Sequence, residues 1–439
     1  MGTGNLITRK HYQKQILRLL DNENAAFIIG VRHSGKSCAA ACVEEQIMKR
    51  ASENAAVLEM SLERAKWECF CADDLIKWFE ERYSPGKRNL VFLDEPIHLP
   101  DWERAAEHIV SHPDVKLVIT ASNRRVLSER FSMYREGRYD VVEMLPLSFE
   151  EFIGFHGNRE TTAPGVPVQS KRYVGADGGA HTARDLLAGY MTKSALPIHW
   201  NNGFLDLDPL SSADGMYASI VLHDILEVNS SAGLSSITDQ NLLGCIITVL
   251  AKAMGRNVSA TWVGKQTPLY LDRPSSTKTV ESYMRALLSS HLFYMAERYD
   301  IKAGQKLKTL AKFYIVDMGI YRLIAGEQPD DGGRALENRV YFELLRRGYE
   351  VFNGKYGEEE VKFMAADGHD RVYIQTADAF RERDRRLLLS PLRKIKDNHP
   401  KVIIVNDTET RTTADGILIL NSLEFFMGAG LGRQRSTVY

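Results

Sequence analysis

Residues 30–37 read GVRHSGKS, which fits the phosphate-binding pattern G-x-x-x-x-G-K-[ST]. An apolar run at 25–29 precedes this segment, and the helix-forming stretch CAAACVEEQIMKR follows it. In that context the glycines let backbone N–H groups surround phosphate oxygens, and the helix N-terminus adds a favourable dipole. We expect Lys36 to reach the β- and γ-phosphates of ATP and Ser37 to ligate Mg²⁺. The predicted nucleotide-binding residues are Gly30, Arg32, Ser34, Gly35, Lys36 and Ser37.

A second segment with chemical potential is LVFLDE at 90–95. Four apolar residues followed by two acids predict a buried strand that ends at the carboxyl edge of a parallel sheet, where such sheets bind ligands. We expect Asp94 to hold Mg²⁺ and Glu95 to orient and deprotonate an attacking water. An ordinary strand followed by a solvated acidic turn is the alternative, and the position downstream of Lys36 disfavours it.

Two further polar residues complete the predicted catalytic set of Lys36, Glu95, Asn123 and Arg138. Asn123 follows the apolar run 116–120 and is predicted either to position the water or to cap a helix. Arg138 precedes another apolar run. It is a candidate to neutralise transition-state charge, in cis or from a neighbouring subunit, or else a plain surface arginine.

The elements that must position these residues are short apolar runs at 26–29, 56–60, 90–93, 116–120 and 141–145, separated by amphipathic stretches. This alternation is typical of an α/β fold with a parallel sheet and helices on both faces. The glycine-rich segment 157–185 is predicted to be a loop at a domain boundary, and 217–228 is predicted to be helical.

Residues 236–326 show the order helix, turn, helix, hairpin that is typical of a winged helix-turn-helix. Residues 255–325 carry 11 Lys/Arg and 5 Asp/Glu, a local basic excess that suits a polyanion. The alternative is that this fold packs against the phosphate-binding domain or mediates contacts between subunits. The candidate DNA-contacting residues are Thr277, Lys278, Arg285, Lys306 and Lys308.

The whole-chain composition is that of a globular protein with several domains. Its 439 residues exceed one hydrophobic core, and 56 Lys/Arg against 57 Asp/Glu exclude a global basic excess. Since we find no long apolar run and no secretory signal, we expect a cytoplasmic protein without membrane contact. Five cysteines make no disulfide framework.

The chain resembles the bacterial and archaeal AAA-type P-loop ATPases that carry a C-terminal domain of unknown function. The matching stretches include IIGVRHSGKS, FLDEPIHLPDWE, GRALENRVYFELLRRGYEVF and RERDRRLLLSPLRKIKDNHPKVIIVND. The resemblance implies ATP and Mg²⁺ binding at Gly30, Gly35, Lys36, Ser37, Asp94 and Glu95. It also implies an AAA-like α/β domain at 1–156, a loop and helical lid at 157–235, a winged helix at 236–326, and a restriction-endonuclease-like α/β domain at 327–439.

This sequence departs from the family pattern in places. Residues 96–98 (PIH) and 194–197 (SALP) differ from the usual motifs, although neither segment is expected to touch phosphate. In the C-terminal part, Lys362 stands where a nuclease needs an acid, and Gln375 and Ala377 stand where it needs an acid-x-Lys pair. Glu337 and Glu360 alone provide too few acidic ligands for a nuclease metal site. We therefore expect a degenerate nuclease fold that does not cut DNA.

These expectations give one leading hypothesis and two alternatives. The leading hypothesis is an ATP-binding and ATP-hydrolysing protein coupled to a DNA-binding winged helix. The first alternative is a nucleotide-gated switch that binds protein partners or its own copies. An ATP-dependent nuclease is the least favoured.

Overall fold

The structure is a computed structural model that describes residues 9–22, 25–51, 55–62, 70–127, 139–197, 209–227, 237–271, 274–326 and 332–431. Arg138 lies outside these residues. None of the described helices is long and apolar enough to cross a membrane.

A five-stranded parallel sheet with the order β2-β3-β4-β1-β5 forms the first part of the molecule. Its elements are α1 (Lys10–Asn22), β1 (Ala25–Ile29), α2 (Lys36–Ala51), β2 (Ala55–Ser61), α3 (Ala72–Glu80), β3 (Arg88–Asp94), α4 (Trp102–Val110), β4 (Val115–Ala121) and β5 (Asp140–Glu143). All five residues of β1 are buried, as expected of a strand covered on both faces. The α/β fold with a parallel sheet is thus confirmed.

The two faces of this sheet are covered by different helix pairs. Helices α1 and α2 pack their apolar residues, among them Ile16 and Val43, against one face. Helices α3 and α4 cover the other face with residues such as Phe79 and Ile109. Because β1, β3 and β4 are parallel, the loops at their carboxyl ends meet at one edge of the sheet.

The segment after this sheet contains small elements, of which the sequence pattern predicted only the helical stretch at 217–228, with residue 228 outside the described residues. They are α5 (Phe149–Phe155), β6 (Arg159–Glu160), β7 (Arg172–Val174), β8 (Ala180–Thr182), α6 (Ala183–Thr192) and α7 (Pro209–Ser219), the last continued by a π-helix (Ile220–Glu227). The predicted loop at 157–185 is wrong in part, because β6, β7 and β8 form an antiparallel sheet. Strands of two or three residues are too short to show an alternating pattern.

The remaining strands form a nine-stranded sheet with the order β16-β17-β15-β14-β13-β12-β10-β11-β9. The elements are α8 (Gln240–Lys252), β9 (Asn257–Val258), α9 (Ala260–Gln266), α10 (Thr277–Ser289), β10 (Phe293–Asp300), β11 (Gln305–Ile315), α11 (Met318–Ala325), α12 (Gly332–Arg346), β12 (Glu350–Tyr356), β13 (Glu359–Asp367), β14 (Asp370–Ala377), α13 (Glu382–Lys394), β15 (Lys401–Val405), β16 (Arg411–Thr412), β17 (Leu418–Asn421) and α14 (Ser422–Phe426).

This sheet crosses the boundary that the sequence predicts at 326/327. Strand β10 pairs in parallel with β12, with Arg298 opposite Asn353 and Asp300 opposite Lys355. One hydrophobic cluster also includes residues of both segments, among them Leu242, Ile315, Leu336 and Phe425. The segments 236–326 and 327–431 therefore share a sheet and a core.

Candidate functional site

The phosphate-binding loop lies between β1 and α2, and its backbone needs glycine at two positions. Gly30 has φ 150° and Gly35 has φ 93°, both outside the range that L side chains readily adopt. A Cβ on Gly30 would lie 2.4 Å from the carbonyl oxygen of Met144, which follows β5. The loop is thereby held tightly against the neighbouring strand end.

The side chains of the loop fit a phosphate group. Lys36 is buried, and its Nζ donates to the carbonyl oxygens of Gly30 and Val31 at 3.1 Å each. Ser34 Oγ is buried and makes no hydrogen bond within the described part of the chain. A buried hydroxyl without a partner costs free energy that a phosphate oxygen would recover.

Asp94 and Ser37 meet at the carboxyl edge of the sheet. Ser37 Oγ donates to Asp94 Oδ1 at 3.1 Å, and Ser61 Oγ donates to Oδ2 at 3.2 Å. The Thr120 hydroxyl, from the next strand, also donates to Asp94. Because Mg²⁺ prefers oxygen ligands, the hydroxyl of Ser37 and the carboxylate of Asp94 are suited to hold it.

Glu95 is buried beside these groups, in a left-handed conformation with φ 52°. Its Oε2 accepts a hydrogen bond from Ser122 N at 2.9 Å, and its Oε1 lies 3.9 Å from Lys36 Nζ. Burial raises the pKa of Glu95 to about 7; the Lys36 ammonium opposes the rise, and the Asp224 carboxylate adds to it. A carboxylate with a pKa near neutrality is suited to general-base work.

The Asn123 side chain makes two hydrogen bonds, one through each end of its amide. Its Oδ1 accepts from Arg125 N at 3.0 Å and so caps a short 3-10 helix, in agreement with the capping alternative. Its Nδ2 donates to the carbonyl oxygen of Asp224 at 2.8 Å. In this structure the amide is held by the π-helix rather than turned to solvent.

Asp224 is a site residue that sequence reasoning missed. It lies in the π-helix and is fully buried. The Arg32 guanidinium of the phosphate-binding loop donates to its carboxylate at 3.0–3.3 Å, and Ser122 Oγ donates to Oδ1 at 2.5 Å. The sequence signal that pointed to it is a single acid inside the largely apolar run 220–226, which reads IVLHDIL.

Arg9 was also missed, because it precedes α1 and belongs to no motif. Its side chain is buried and donates to the carbonyl oxygens of Ser34 at 3.0 Å and Leu145 at 2.7 Å. It also pairs with Glu151 at 2.7 Å. Arg9 thus ties the phosphate-binding loop to the segment that joins β5 and α5.

The candidate DNA-contacting residues lie on two separate elements. Thr277, Lys278 and Arg285 are exposed on α10, and Lys306 and Lys308 are exposed on β11. Lys306 Nζ lies 2.8 Å from a Glu350 oxygen and 3.5 Å from one of Glu297. Its charge is therefore partly balanced within the chain.

Glu337 and Glu360, the two acids of the C-terminal part that could bind a metal, are each paired with a lysine ammonium group. Lys312 Nζ lies 3.1 Å from Glu337 Oε1 and 2.6 Å from Glu360 Oε1. Lys362 Nζ lies 2.8 Å from Glu337 Oε2, and the Tyr314 hydroxyl donates to the same carboxylate. The positive charge near these acids comes from lysines of β11 and β13. Gln375 donates instead to the carbonyl oxygen of Glu360.

Two segments of the chain match known domain families, and most of its length is similar to two other proteins. Residues 22–153 match an AAA domain family, and residues 221–331 match a domain of unknown function. An uncharacterized protein of Haemophilus influenzae is 29% identical over 428 residues, which cover 96% of this chain and 99% of that protein. An uncharacterized protein of Methanocaldococcus jannaschii is 21% identical over 349 residues, 76% of this chain and 73% of its own length.

Solved structures that are similar to this chain have lower sequence identity to it. A Walker-type ATPase of Pyrococcus abyssi has 11% identity and a TM-score of 0.43, covering 72% of this chain and 95% of that one. Cdc6p from Pyrobaculum aerophilum has 12% identity and a TM-score of 0.28, covering 72% and 93%. Residues 22–153 thus match the AAA domain family, and they contain the parallel sheet and phosphate-binding loop of a P-loop fold.

Proposed function

We propose that this protein binds ATP with Mg²⁺ and hydrolyses it. The observation that carries the proposal is the convergence of Lys36, Ser37, Asp94 and Glu95 at one edge of the parallel sheet. Lys36 would hold phosphate charge, and Glu95 would accept the proton of the attacking water. Mg²⁺ at Ser37 and Asp94 would neutralise charge that develops between the phosphates. The role of Arg138 remains a prediction.

Steady-state phosphate release with Mg²⁺ and ATP, measured beside nucleotide binding, tests this proposal. We expect Lys36→Ala to lose both binding and turnover. Glu95→Gln should keep binding and lose turnover by at least about 100-fold, because it removes only the general base. Glu150→Gln, at an exposed glutamate of α5, is the matched control. Wild-type turnover in Glu95→Gln would contradict the assigned role.

A nucleotide-gated switch is a second candidate, and the contacts of Asp224 favour it. The π-helix carrying Asp224 belongs to the segment that the sequence assigns to a lid. Arg32 cannot give its full set of N–H donors to both a phosphate and the Asp224 carboxylate. We infer that ATP competes with Asp224 for Arg32 and so loosens the π-helix from Ser122 and Asn123.

Asp224→Asn tests the switch, because it removes the charge that competes for Arg32 and keeps the size of the side chain. We expect ATP to bind several-fold more tightly, and limited proteolysis to show a smaller ATP-dependent change than in the wild type. Asp214→Asn, at an exposed aspartate of α7, should change neither. Weaker ATP binding in Asp224→Asn would mean that Asp224 supports the bound nucleotide instead of competing with it.

We further propose that α10 and the β10–β11 hairpin contact duplex DNA. The support is the basic excess of 255–325 and the exposure of Lys278, Arg285 and Lys308. The test is DNA affinity as a function of salt. Lys306→Ala with Lys308→Ala should weaken binding and flatten its salt slope by up to about 0.9 per lost phosphate contact. Lys14→Ala, exposed on α1, is the control; unchanged binding in the double variant would contradict the proposed contact.

We also propose that the C-terminal part does not cut DNA. Lys312 and Lys362 already neutralise Glu337 and Glu360, which are the acids that a divalent metal would need. Incubation of plasmid with the protein and Mg²⁺ or Mn²⁺ should leave it intact. Metal-dependent cleavage that disappears in Glu360→Ala would overturn this.

A further inference from the structure

A histidine and glutamate cluster lies on the AAA domain away from the phosphate-binding loop. Glu80 is the last residue of α3, His108 lies in the last turn of α4, and His112 follows the end of α4. One possible ligand atom from each residue lies within 4.8 Å of the other two. Glu80 Oε1 is 2.5 Å from His108 Nε2 and 3.5 Å from His112 Nε2.

The orientation of His112 indicates what this cluster can bind. Its Nδ1 lies 3.2 Å from the carbonyl oxygen of His108, and a carbonyl oxygen can only accept, so Nδ1 carries a hydrogen. In the neutral ring the lone pair is then on Nε2, which faces the Glu80 carboxylate. This is the arrangement by which a backbone carbonyl fixes the tautomer of a metal-binding histidine.

The surroundings hold the His112 ring in that orientation. The ring packs against Phe79, with centroids 5.1 Å apart, and against Tyr83, with centroids 4.7 Å apart. The His112 side chain is only 21% exposed, whereas Glu80 and His108 are more open to solvent. One ligand is therefore fixed, and the two others are free to adjust around an ion.

We propose that Glu80, His108 and His112 form a site for one Zn²⁺ ion or a similar first-row divalent ion. Two imidazole nitrogens and a carboxylate oxygen favour Zn²⁺ over Mg²⁺, which prefers oxygen ligands. Ligand atoms around tetrahedral Zn²⁺ lie about 3.3 Å apart. The His112–Glu80 distance is close to this, and the His108–Glu80 contact needs to open by less than about 1 Å.

The ion would clamp α3 to α4 and take no part in ATP hydrolysis. Glu80 and His112 lie shortly before β3 and β4 begin, whereas Asp94 and Glu95 lie where β3 ends. Seven residues of β3 separate the two ends by about 20 Å. The cluster is therefore a second, independent cation site with different ligand chemistry.

Calorimetric titration of the full chain with Zn²⁺, and visible absorption of bound Co²⁺, test the proposal. We expect one ion per chain, with affinity lowered at least tenfold in His112→Gln and in His108→Gln. His369→Gln, at an exposed histidine outside the cluster, should bind as the wild type does. Asp94→Asn should also retain Zn²⁺, because it removes only the proposed Mg²⁺ ligand.

Thermal unfolding separates loss of the site from loss of the fold. Without Zn²⁺, His112→Gln should melt within a few degrees of the wild type; with Zn²⁺, only the wild type should melt at a higher temperature. Cys71→Ser controls for binding at an exposed thiol and should keep the shift. Binding that survives the double variant of His108 and His112, or that is lost in Cys71→Ser, would overturn the proposal, as would no binding at all.

Discussion

Glu95 combines burial, a left-handed backbone and a position next to Lys36, and these determine how its charge depends on pH. As a general base it must be ionised, and its pKa is raised to about 7, chiefly by burial. Turnover should therefore rise as pH increases through about 7 and fall by about tenfold per pH unit well below that value.

The measurement is kcat/KM for ATP across this pH range, which reports the pKa of the free protein, with ATP binding measured in parallel. Binding should change much less than turnover, because Glu95 is assigned to the attacking water and not to the bound phosphates. A turnover profile that is flat from about pH 6 to pH 8 would exclude Glu95 as the group that limits the rate.

Gly30 offers a second prediction at the residue scale. Gly30→Ala would place a Cβ 2.4 Å from the Met144 carbonyl oxygen. Because this oxygen belongs to the backbone, the clash can be relieved only by shifting the main chain. We expect the free energy of unfolding to fall by at least about 3 kcal/mol. Gly86→Ala also has a positive φ but meets nothing within 4 Å, so it should cost only about 1–2 kcal/mol. Equal losses in urea unfolding would mean that the close approach is unimportant.

At the scale of elements, α5 begins with a capping box whose glutamate serves two purposes. Ser148 Oγ accepts from Glu151 N, and the Glu151 carboxylate accepts from Ser148 N. The same carboxylate pairs with Arg9, just before α1. Although burial alone would raise the pKa of Glu151, Arg9 and the hydrogen bonds lower it to about 2. The contribution of this pair to stability is thus present above about pH 4.5 and is lost as pH falls toward 2.

Removing Arg9 should destabilise the protein and disturb the phosphate-binding loop together. Arg9→Ala leaves the partly buried Glu151 without its closest partner and the Ser34 carbonyl oxygen without its donor, so we expect a loss of about 3–5 kcal/mol and weaker ATP binding. Arg18→Ala, exposed on α1, should change stability by less than about 0.5 kcal/mol. Thermal unfolding and ATP titration of both variants provide the check. A variant that lost stability but kept full ATP affinity would show that Arg9 is not needed by the loop.

The sequence predicted elements well where a pattern is repeated over several residues. The strands of the AAA domain lie close to their predicted positions, because each is a short, almost unbroken apolar run. The predicted order of helix, turn, helix and hairpin is also present, in α8, α10 and the strands β10 and β11. The juxtaposition of Ser37 and Asp94 was also foreseeable, since a motif and a strand end both point to one sheet edge. Arg9 and Asp224 were not, because the position of each depends on contacts with residues more than 100 positions away.

At the scale of the whole molecule, Lys312 joins the segments on either side of residue 327. It lies on β11, is almost fully buried, and contacts Glu337 on α12 and Glu360 on β13. Lys312→Met should cost about 1.5–3 kcal/mol, because the buried Glu337 carboxylate and the more exposed Glu360 carboxylate lose a charged hydrogen-bond partner, while Glu337 keeps Lys362. Lys308→Met, exposed on the same strand, should cost less than about 0.5 kcal/mol.

A second substitution tests the cause of that loss. Adding Glu337→Gln to Lys312→Met removes a buried charge that has lost one of its two lysine partners, and should restore part of the lost stability. The melting temperatures of the wild type, the two single variants and the double variant form a complete cycle. Strictly additive losses would argue against a direct interaction between these two side chains.

The parallel pairing of β10 with β12 has a consequence for synthesis on the ribosome. The hairpin of β10 and β11 is complete by residue 315, but its open edge is covered only when residues 350–356 emerge. At roughly 5–20 residues per second, those 40 or so residues take about 2–8 seconds to translate. During that interval β10 presents unpaired backbone groups to other nascent chains, so slow codons between the two strands would lengthen the period in which the growing chain is prone to aggregate.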